Sequence, residues 1–254
     1  MEKSLSNATP EISVVIPALN EAAIIRELVE RIDIALADAT FEVIVVDDGS
    51  TDGTSERLLS GQPHWRVLRH DRPGGQSAAI HTGVLAAAGT LVVTLDADGQ
   101  NPPEEIPKLL AVWAEQKKDR SLGLIAGQRI GRNDTLSKRW ASRAANAIRG
   151  RVLKDGTRDT GCGLKAIRRD VFLALPYFDH MHRFFPALVI RAGFRVAHVD
   201  VLHAAREAGQ SKYSNWQRAL VGIVDLIGVS WLIRRRKRVS PQELTDASYE
   251  KGTM

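Results

Sequence analysis

Short β-branched runs that alternate with segments of helical periodicity are the feature that most constrains the fold of this chain. Five apolar runs predict strands, at residues 12–16, 41–46, 65–68, 90–95 and 122–126. Apolar residues at helical spacing follow several of these runs, and Asn20 is the expected N-cap of the first helix. Strand–helix repeats of this length predict an α/β fold with a mostly parallel, doubly wound sheet and helices on both faces.

Polar side chains follow three of the predicted strands, at the point where each strand ends. They are Asn20 and Glu21, Asp47 and Asp48, and Asp96 and Asp98. Ligands of an open parallel sheet bind beyond the carboxyl ends of its strands. The sequence therefore predicts a ligand site that these three strand ends share.

The triplet Asp96-Ala97-Asp98 is the strongest chemical signal in the chain. Two carboxylates one residue apart in a turn can approach a single cation, and Gln100 can add a third oxygen. Hard oxygen ligands select Mg²⁺ or Mn²⁺, and such ions usually also hold substrate phosphates. At the second strand end, Asp47 or Asp48 can accept hydrogen bonds from a nucleoside base or ribose, or can cap the next helix.

Composition excludes several classes of protein. The single cysteine, Cys162, excludes a disulfide framework and a cysteine-based zinc ribbon. The net charge of +5 predicts an anionic partner, for which nucleic acid, a phosphorylated small molecule and an acidic membrane are candidates. A basic module that binds nucleic acid predicts aromatic residues among its cations and has no use for Asp96 and Asp98. Only Trp140 lies among the basic residues of the middle segment, which disfavours that interpretation.

The C-terminal region combines an apolar segment with a basic block. The apolar residues 219–233 include Asp225 and are too short to span a membrane, and the block 234–238 consists of Arg and Lys. Two interpretations stay open: a helix on an anionic membrane surface, and a buried helix followed by a charged tail. No secretory signal begins the chain, so we expect a cytoplasmic, peripheral protein on the inner face of the membrane.

Taken in order, the motifs resemble the inverting family-two glycosyltransferases. The segments that carry this resemblance are residues 14–21, 45–52 and 95–103. Later motifs are similar to those of the polyprenyl-phosphate glycosyltransferases, the group that includes dolichol-phosphate mannosyltransferases. They are residues 127–129, Ser142-Arg143 with Asn146, residues 159–163, and Arg206 with residues 209–213.

The resemblance implies a GT-A-type domain that uses Mg²⁺ or Mn²⁺. It implies transfer of a sugar, with inversion, from a nucleotide sugar such as GDP-mannose or a UDP-sugar to a polyprenyl or dolichyl phosphate. It places the nucleotide sugar at Pro17, Asn20, Glu21, Asp47, Asp48, Gln76, Asp96, Arg206 and Lys212. It places the metal at Asp96, Asp98 and Gln100, and the acceptor phosphate at Arg129, Ser142 and Arg143, with Asp98, Arg129 and Arg143 as catalytic residues.

A phosphate acceptor is largely ionised near neutral pH and needs no general base. The alternative is a family-two enzyme that extends a polysaccharide or soluble glycan and must deprotonate a hydroxyl. Asp159 is the only acidic residue of segment 156–165, which weakens this alternative without removing it.

The predicted organisation has four parts. A flexible N-terminus (1–10) precedes a glycosyltransferase domain (11–213), which divides into a nucleotide-sugar half (11–128) and an acceptor half (129–213). An amphipathic C-terminal helix with its basic block (214–238) and a flexible tail (239–254) follow. An oligomer is possible, and nucleic acid is not an expected partner.

Overall fold

The centre of the fold is a mixed sheet. The structure, a computed structural model, describes residues 9–116, 118–130, 149–204, 215–236 and 239, without the side chains of residues 215–221. The strands are β1 (Ile12–Ala18), β2 (Phe41–Asp47), β3 (Trp65–Arg69), β4 (Leu91–Thr94), β5 (Leu122–Arg129), β6 (Lys165–Arg168) and β7 (Arg195–Val201). The α-helices are α1 (Ile25–Ala35), α2 (Gln76–Ala86), α3 (Ile106–Gln116), α4 (Arg169–Leu173), α5 (Phe185–Arg191) and α6 (Asn215–Arg234).

The strand order of the sheet is β3-β2-β1-β4-β6-β5-β7. All neighbouring strands pair in parallel except β6, which runs antiparallel between β4 and β5. The predicted mostly parallel α/β sheet is therefore confirmed. The sequence prediction lacked β6, whose position matters because its pairing sets Lys165 opposite Thr94, two residues before Asp96.

The central strands bury side chains on both faces of the sheet. In β1, Val14 and Ile16 contact one apolar cluster and Val15 contacts the other. Helices α1 and α3 cover the first face, and α2, α4 and α5 cover the second. Because each face is covered, the strands read as continuous apolar runs rather than as alternating patterns.

The N-cap expected for the first helix is wrong. Helix α1 begins at Ile25, its N-cap position is Ile24, and no side chain caps it. Asn20 instead has a φ of 60°, and its side-chain oxygen accepts a hydrogen bond from the Thr51 backbone N–H at 2.9 Å. The side chain joins the ends of two strands and is not available to the helix.

From residue 222 onward, helix α6 packs on the domain through one side. Val229 is buried, with Leu226 and Ile233 against the same cluster, and Arg191 donates a hydrogen bond to the Leu232 carbonyl at 2.8 Å. The outward side is also apolar, with exposed residues Ile223, Val224, Ile227 and Trp231. The expected separation into an apolar and a polar face is therefore not confirmed. Within the described residues, no helix has the length and apolar character that crossing a membrane requires.

Candidate active site

The carboxyl ends of β1 and β2 are joined by hydrogen bonds. The Asn20 backbone N–H donates to the Ser50 hydroxyl at 2.9 Å, and the Glu21 N–H donates to the Thr54 hydroxyl at 2.9 Å. Pro17 lies half-buried within β1, just before this junction. Three residues predicted to contact the nucleotide thus lie in or beside one ordered double loop.

The two acidic residues at the end of β2 have different surroundings. Asp47 is buried and accepts hydrogen bonds from the Ser50 backbone N–H and the Ser55 hydroxyl, so its carboxylate holds its own loop together. These hydrogen bonds lower the pKa of Asp47, although burial acts in the opposite direction.

Asp48 fixes the loop that leads into α2. It accepts hydrogen bonds from the N–H groups of Gly74 and Gly75 at 2.8 and 2.7 Å, and its carboxylate lies 2.6 Å from His70 Nδ1, from which it accepts a third. No sequence signal had selected His70. Whether Asp48 also contacts a nucleoside stays a prediction.

The end of β4 carries the paired carboxylates. Asp96 and Asp98 follow the strand, and the Gln100 backbone N–H donates to Asp98 at 3.2 Å. Gln76 lies in the first turn of α2, and its amide donates to Asp96 at 2.7 Å. Burial and the adjacent charge of Asp98 raise the pKa of Asp96 to about 6. The carboxylate is therefore costly to ionise unless a cation is close to it.

The strand β6 brings a cation to the same place. Lys165 is 4% exposed, and its ammonium donates to the carbonyls of Cys162 and Thr160. Its charge stabilises ionised Asp96, whereas burial lowers the pKa of Lys165 itself. At Gly163, just before β6, a Cβ atom would lie 2.2 Å from the Asp96 carboxylate, so only glycine fits there without moving that side chain.

A cavity of about 260 Å³ opens beside Asp96. Its walls come from the start of α2, the end of β4, the loop before β6 and the turn before α5. The polar side chains that line it include Gln76, Asp96, Lys165, His182 and Arg183. Sequence analysis missed Lys165, His182 and Arg183.

Arginines neutralise both acidic residues of the loop that follows residue 153. Arg129 binds Asp159 through two nitrogens, at 2.6 and 2.9 Å, and both side chains are largely buried. Arg149 binds Asp155, whose side chain is fully buried. Arg129 is thus held beside the loop, and a carboxylate in such a pair is a poor proton acceptor.

Several predicted site residues cannot be placed. Ser142, Arg143, Arg206 and Lys212 lie outside the described residues. Within the described part of the chain, no three His, Cys, Asp or Glu side chains cluster as a metal site. The predicted metal ligands at the end of β4 are Asp96, Asp98 and the Gln100 amide, and such an all-oxygen set is of the kind that suits Mg²⁺ or Mn²⁺.

The comparison with known families agrees with this arrangement. Glycosyl transferase family 2 matches residues 13–175, which contain every strand from β1 to β6 and the paired carboxylates of β4. The chain belongs to glycosyl transferase family 2. The sequence resemblance to this family is therefore confirmed.

The chain is also similar to two curated bacterial transferases. It is 37% identical over 217 residues to the undecaprenyl-phosphate 4-deoxy-4-formamido-L-arabinose transferases of Yersinia pestis (strain Pestoides F) and Yersinia enterocolitica (serotype O:8). Each match covers 83% of this chain and 65% of the relative. The chain thus spans just under two thirds of the length of these relatives.

Solved structures confirm the GT-A-type fold. Glucosyl-3-phosphoglycerate synthase from Mycobacterium tuberculosis, in complex with Mn²⁺ and UDP-glucose, has a TM-score of 0.64 and 24% identity, over 86% of this chain and 79% of that one. The same synthase with Mn²⁺, UDP and phosphoglyceric acid has a TM-score of 0.66 and 20% identity, over 90% and 80% of the two chains.

Proposed function

We propose that this glycosyltransferase transfers a sugar from a nucleotide sugar to a polyprenyl phosphate, with inversion at the anomeric carbon. The observation that carries the proposal is that Asp155 and Asp159 are both bound to arginines. An enzyme that glycosylates a hydroxyl needs a carboxylate base, whereas an ionised phosphate acceptor does not. The undecaprenyl-phosphate transferases at 37% identity support the same acceptor class.

The residues have distinct tasks in this reaction. The loops after β1 and β2 bind the nucleoside, and Asp96, Asp98 and Gln100 would hold Mg²⁺ or Mn²⁺. That ion supplies electrostatic stabilisation of the departing diphosphate. Gln76 orients the Asp96 carboxylate through its 2.7 Å hydrogen bond. Arg129 is oriented by Asp159, and its remaining guanidinium N–H groups can donate to a phosphate on the acceptor side, where Ser142 and Arg143 are also predicted to act.

The proposal includes two candidate nucleotide-sugar donors. The two candidate pairs are GDP-mannose with dolichyl phosphate, as in the mannosyltransferases that the sequence resembles, and a UDP-sugar with a bacterial polyprenyl phosphate. The extension of a polysaccharide remains the second candidate function, and it requires Asp159 to act as a base.

We place the enzyme at a membrane surface, where a lipid acceptor lies. The support is the outward apolar side of α6, with Trp231 59% exposed, followed by the exposed Arg234, Arg235 and Arg236. Such a side can enter the boundary of the acyl chains while the arginines contact anionic headgroups. Attachment to the inner, cytoplasmic face is part of this proposal.

An Asp159→Asn variant separates the two candidate functions. Transfer of labelled sugar to polyprenyl phosphate, measured by solvent extraction, should fall less than about tenfold, because the variant keeps a side chain that can hydrogen-bond to Arg129. Loss of a general base costs about 10²- to 10⁴-fold. Asp155→Asn is the matched control, since it changes the other arginine-bound carboxylate. A loss above 100-fold in Asp159→Asn alone, with an unchanged fold, would favour the hydroxyl-glycosylating enzyme.

A further inference from the structure

The cavity beside Asp96 presents more hydrogen-bond donors and positive charge than a neutral sugar requires. Lys165, Arg183 and His182 line it together with Gln76 and Asp96. Asp96 is the acidic residue among the side chains that line this cavity in the described part of the chain. Because Asp96 faces Asp98 and Gln76, the positive side of the cavity is the side formed by β6 and the turn before α5.

His182 is held in the wall of the cavity by Ser77. The His182 backbone N–H donates to the Ser77 hydroxyl oxygen at 3.3 Å, and the same oxygen lies 2.7 Å from His182 Nδ1. Burial, with Lys165 and Arg183 nearby, lowers the pKa of His182 to about 3, so the ring is neutral at physiological pH. In the tautomer in which Ser77 donates to Nδ1, Nε2 carries the proton and can donate to a ligand.

Lys165 and Arg183 have N–H groups that can donate hydrogen bonds to a ligand in the cavity. An ammonium has three donors, and the two recorded partners of Lys165 are backbone carbonyls. Arg183 is half-buried, and within the described residues its guanidinium forms no hydrogen bond or ion pair with an acidic side chain. A half-buried arginine without a carboxylate partner among the described residues favours an anionic ligand.

We propose that this cavity receives the transferred sugar and that the sugar carries a carboxylate, so that the donor is a nucleotide-linked hexuronate. The carboxylate would bind Arg183 and Lys165, and His182 Nε2–H would donate to a sugar oxygen. This inference rests on the proposed function and adds the chemical class of the sugar. The acceptor phosphate and the donor diphosphate are the other anions that could bind these cations. The members of each donor pair below share the diphosphate, so an equal effect of Arg183→Gln on charged and neutral donors would assign the cations to a phosphate and overturn the inference.

Matched donor pairs give the direct test. The members of each pair differ only in a carboxylate or a hydroxymethyl group at C6: UDP-glucuronate and UDP-glucose, UDP-galacturonate and UDP-galactose, and GDP-mannuronate and GDP-mannose. The kcat/KM for transfer to polyprenyl phosphate should favour the hexuronate of at least one pair by about 10- to 100-fold, the effect of a charge-assisted hydrogen bond. Calorimetric titration with the same donors, without acceptor, should show the same preference in Kd.

The Arg183→Gln variant tests whether Arg183 binds the carboxylate of the sugar. It should lower kcat/KM for the preferred hexuronate at least tenfold and change the value for its neutral partner less than about threefold. Arg183→Lys should restore most of the loss. Arg120→Gln is the matched control, because Arg120 is exposed and lies before β5, at the opposite end of that strand from Arg129.

Each outcome supports or overturns the inference. Equal or better transfer of the neutral sugars in all three pairs would overturn the hexuronate assignment and leave the proposed function intact. A rise in the KM of polyprenyl phosphate in Arg183→Gln, equal for charged and neutral donors, would assign the cations to the acceptor phosphate and also overturn it. Lipid product from no nucleotide sugar at all would contradict the proposed function itself.

Discussion

The Asp96 carboxylate is a predicted metal ligand that destabilises the metal-free fold. Its raised pKa, about 6, means that folding favours the protonated form over the ionised form. In the unfolded chain this aspartate ionises with a pKa near 3.8, so the metal-free fold loses stability as the pH rises from about 4 to about 6. A carboxylate that destabilises the apo fold is what a divalent cation would compensate.

Asp96→Asn should therefore stabilise the metal-free protein. At pH 8 in EDTA we expect the free energy of unfolding to increase by roughly 1–3 kcal/mol, and at pH 4 to change little. The amide oxygen can still accept the hydrogen bond of Gln76. Urea denaturation at both pH values measures the effect, and Asp38→Asn, at an exposed position, is the control. Adding Mn²⁺ should stabilise the wild type and not the variant.

Two results would contradict this account of Asp96. One is a metal-free variant that is less stable than the wild type at pH 8. The other is equal stabilisation of both proteins by Mn²⁺, which would place the cation elsewhere.

At the level of single residues, the sequence predicted the acidic side of the site better than its basic side. Asp96 and Asp98 directly follow a strand that is recognisable from its own residues. Lys165, His182 and Arg183 reach the cavity only through contacts distant in sequence, such as the pairing of β6 with β4 and the hydrogen bond between Ser77 and His182. The glycine-rich residues 161–163 were a recognisable motif, but their packing against Asp96 required the structure.

The strand that sequence analysis missed, β6, is short and pairs with strands that are distant in the sequence. Strands β1, β2 and β5 are buried, apolar and seven or eight residues long, and their predicted positions agree with the structure to within a few residues. Strand β6 has four residues, two of them cationic, and its pairing partners lie about 40 to 75 residues earlier in the chain. Local periodicity carries no information about such pairing.

Helix α6 is the element that should attach the enzyme to lipid. Liposome sedimentation should show binding to anionic vesicles that weakens with added salt, because the arginines are exposed. Replacing Arg234, Arg235 and Arg236 by Gln should weaken binding by about 1 kcal/mol per residue. Trp231→Ala with Ile227→Gln should also weaken it, whereas Ile34→Gln, an exposed apolar residue on α1, should not.

Binding to vesicles that ignores salt, the arginine changes and the apolar changes alike would contradict a surface role for α6. The outward side of the helix would then be free to bind a partner protein.

The whole molecule brings opposite charges to one edge of the sheet. Strands β1, β2 and β4 deliver carboxylates, and β5 and β6 deliver Arg129 and Lys165 from the later part of the chain. This division suits the proposed reaction, in which a diphosphate departs from the donor and an anionic acceptor approaches. The sequence predicted it from the basic composition of the acceptor half, but it did not predict that Asp159 would neutralise Arg129.

The most direct measurement of the central claim compares two acceptors that differ only in a phosphate. With Mn²⁺ and a labelled nucleotide sugar, a short polyprenyl phosphate should give a solvent-extractable product, and the corresponding polyprenol should give none at the same concentration. The physical reason is that the alcohol must lose a proton, and arginines bind both Asp155 and Asp159, whereas the phosphate is already ionised. Comparable transfer to the polyprenol, or transfer to neither lipid with product on a soluble glycan instead, would contradict the account.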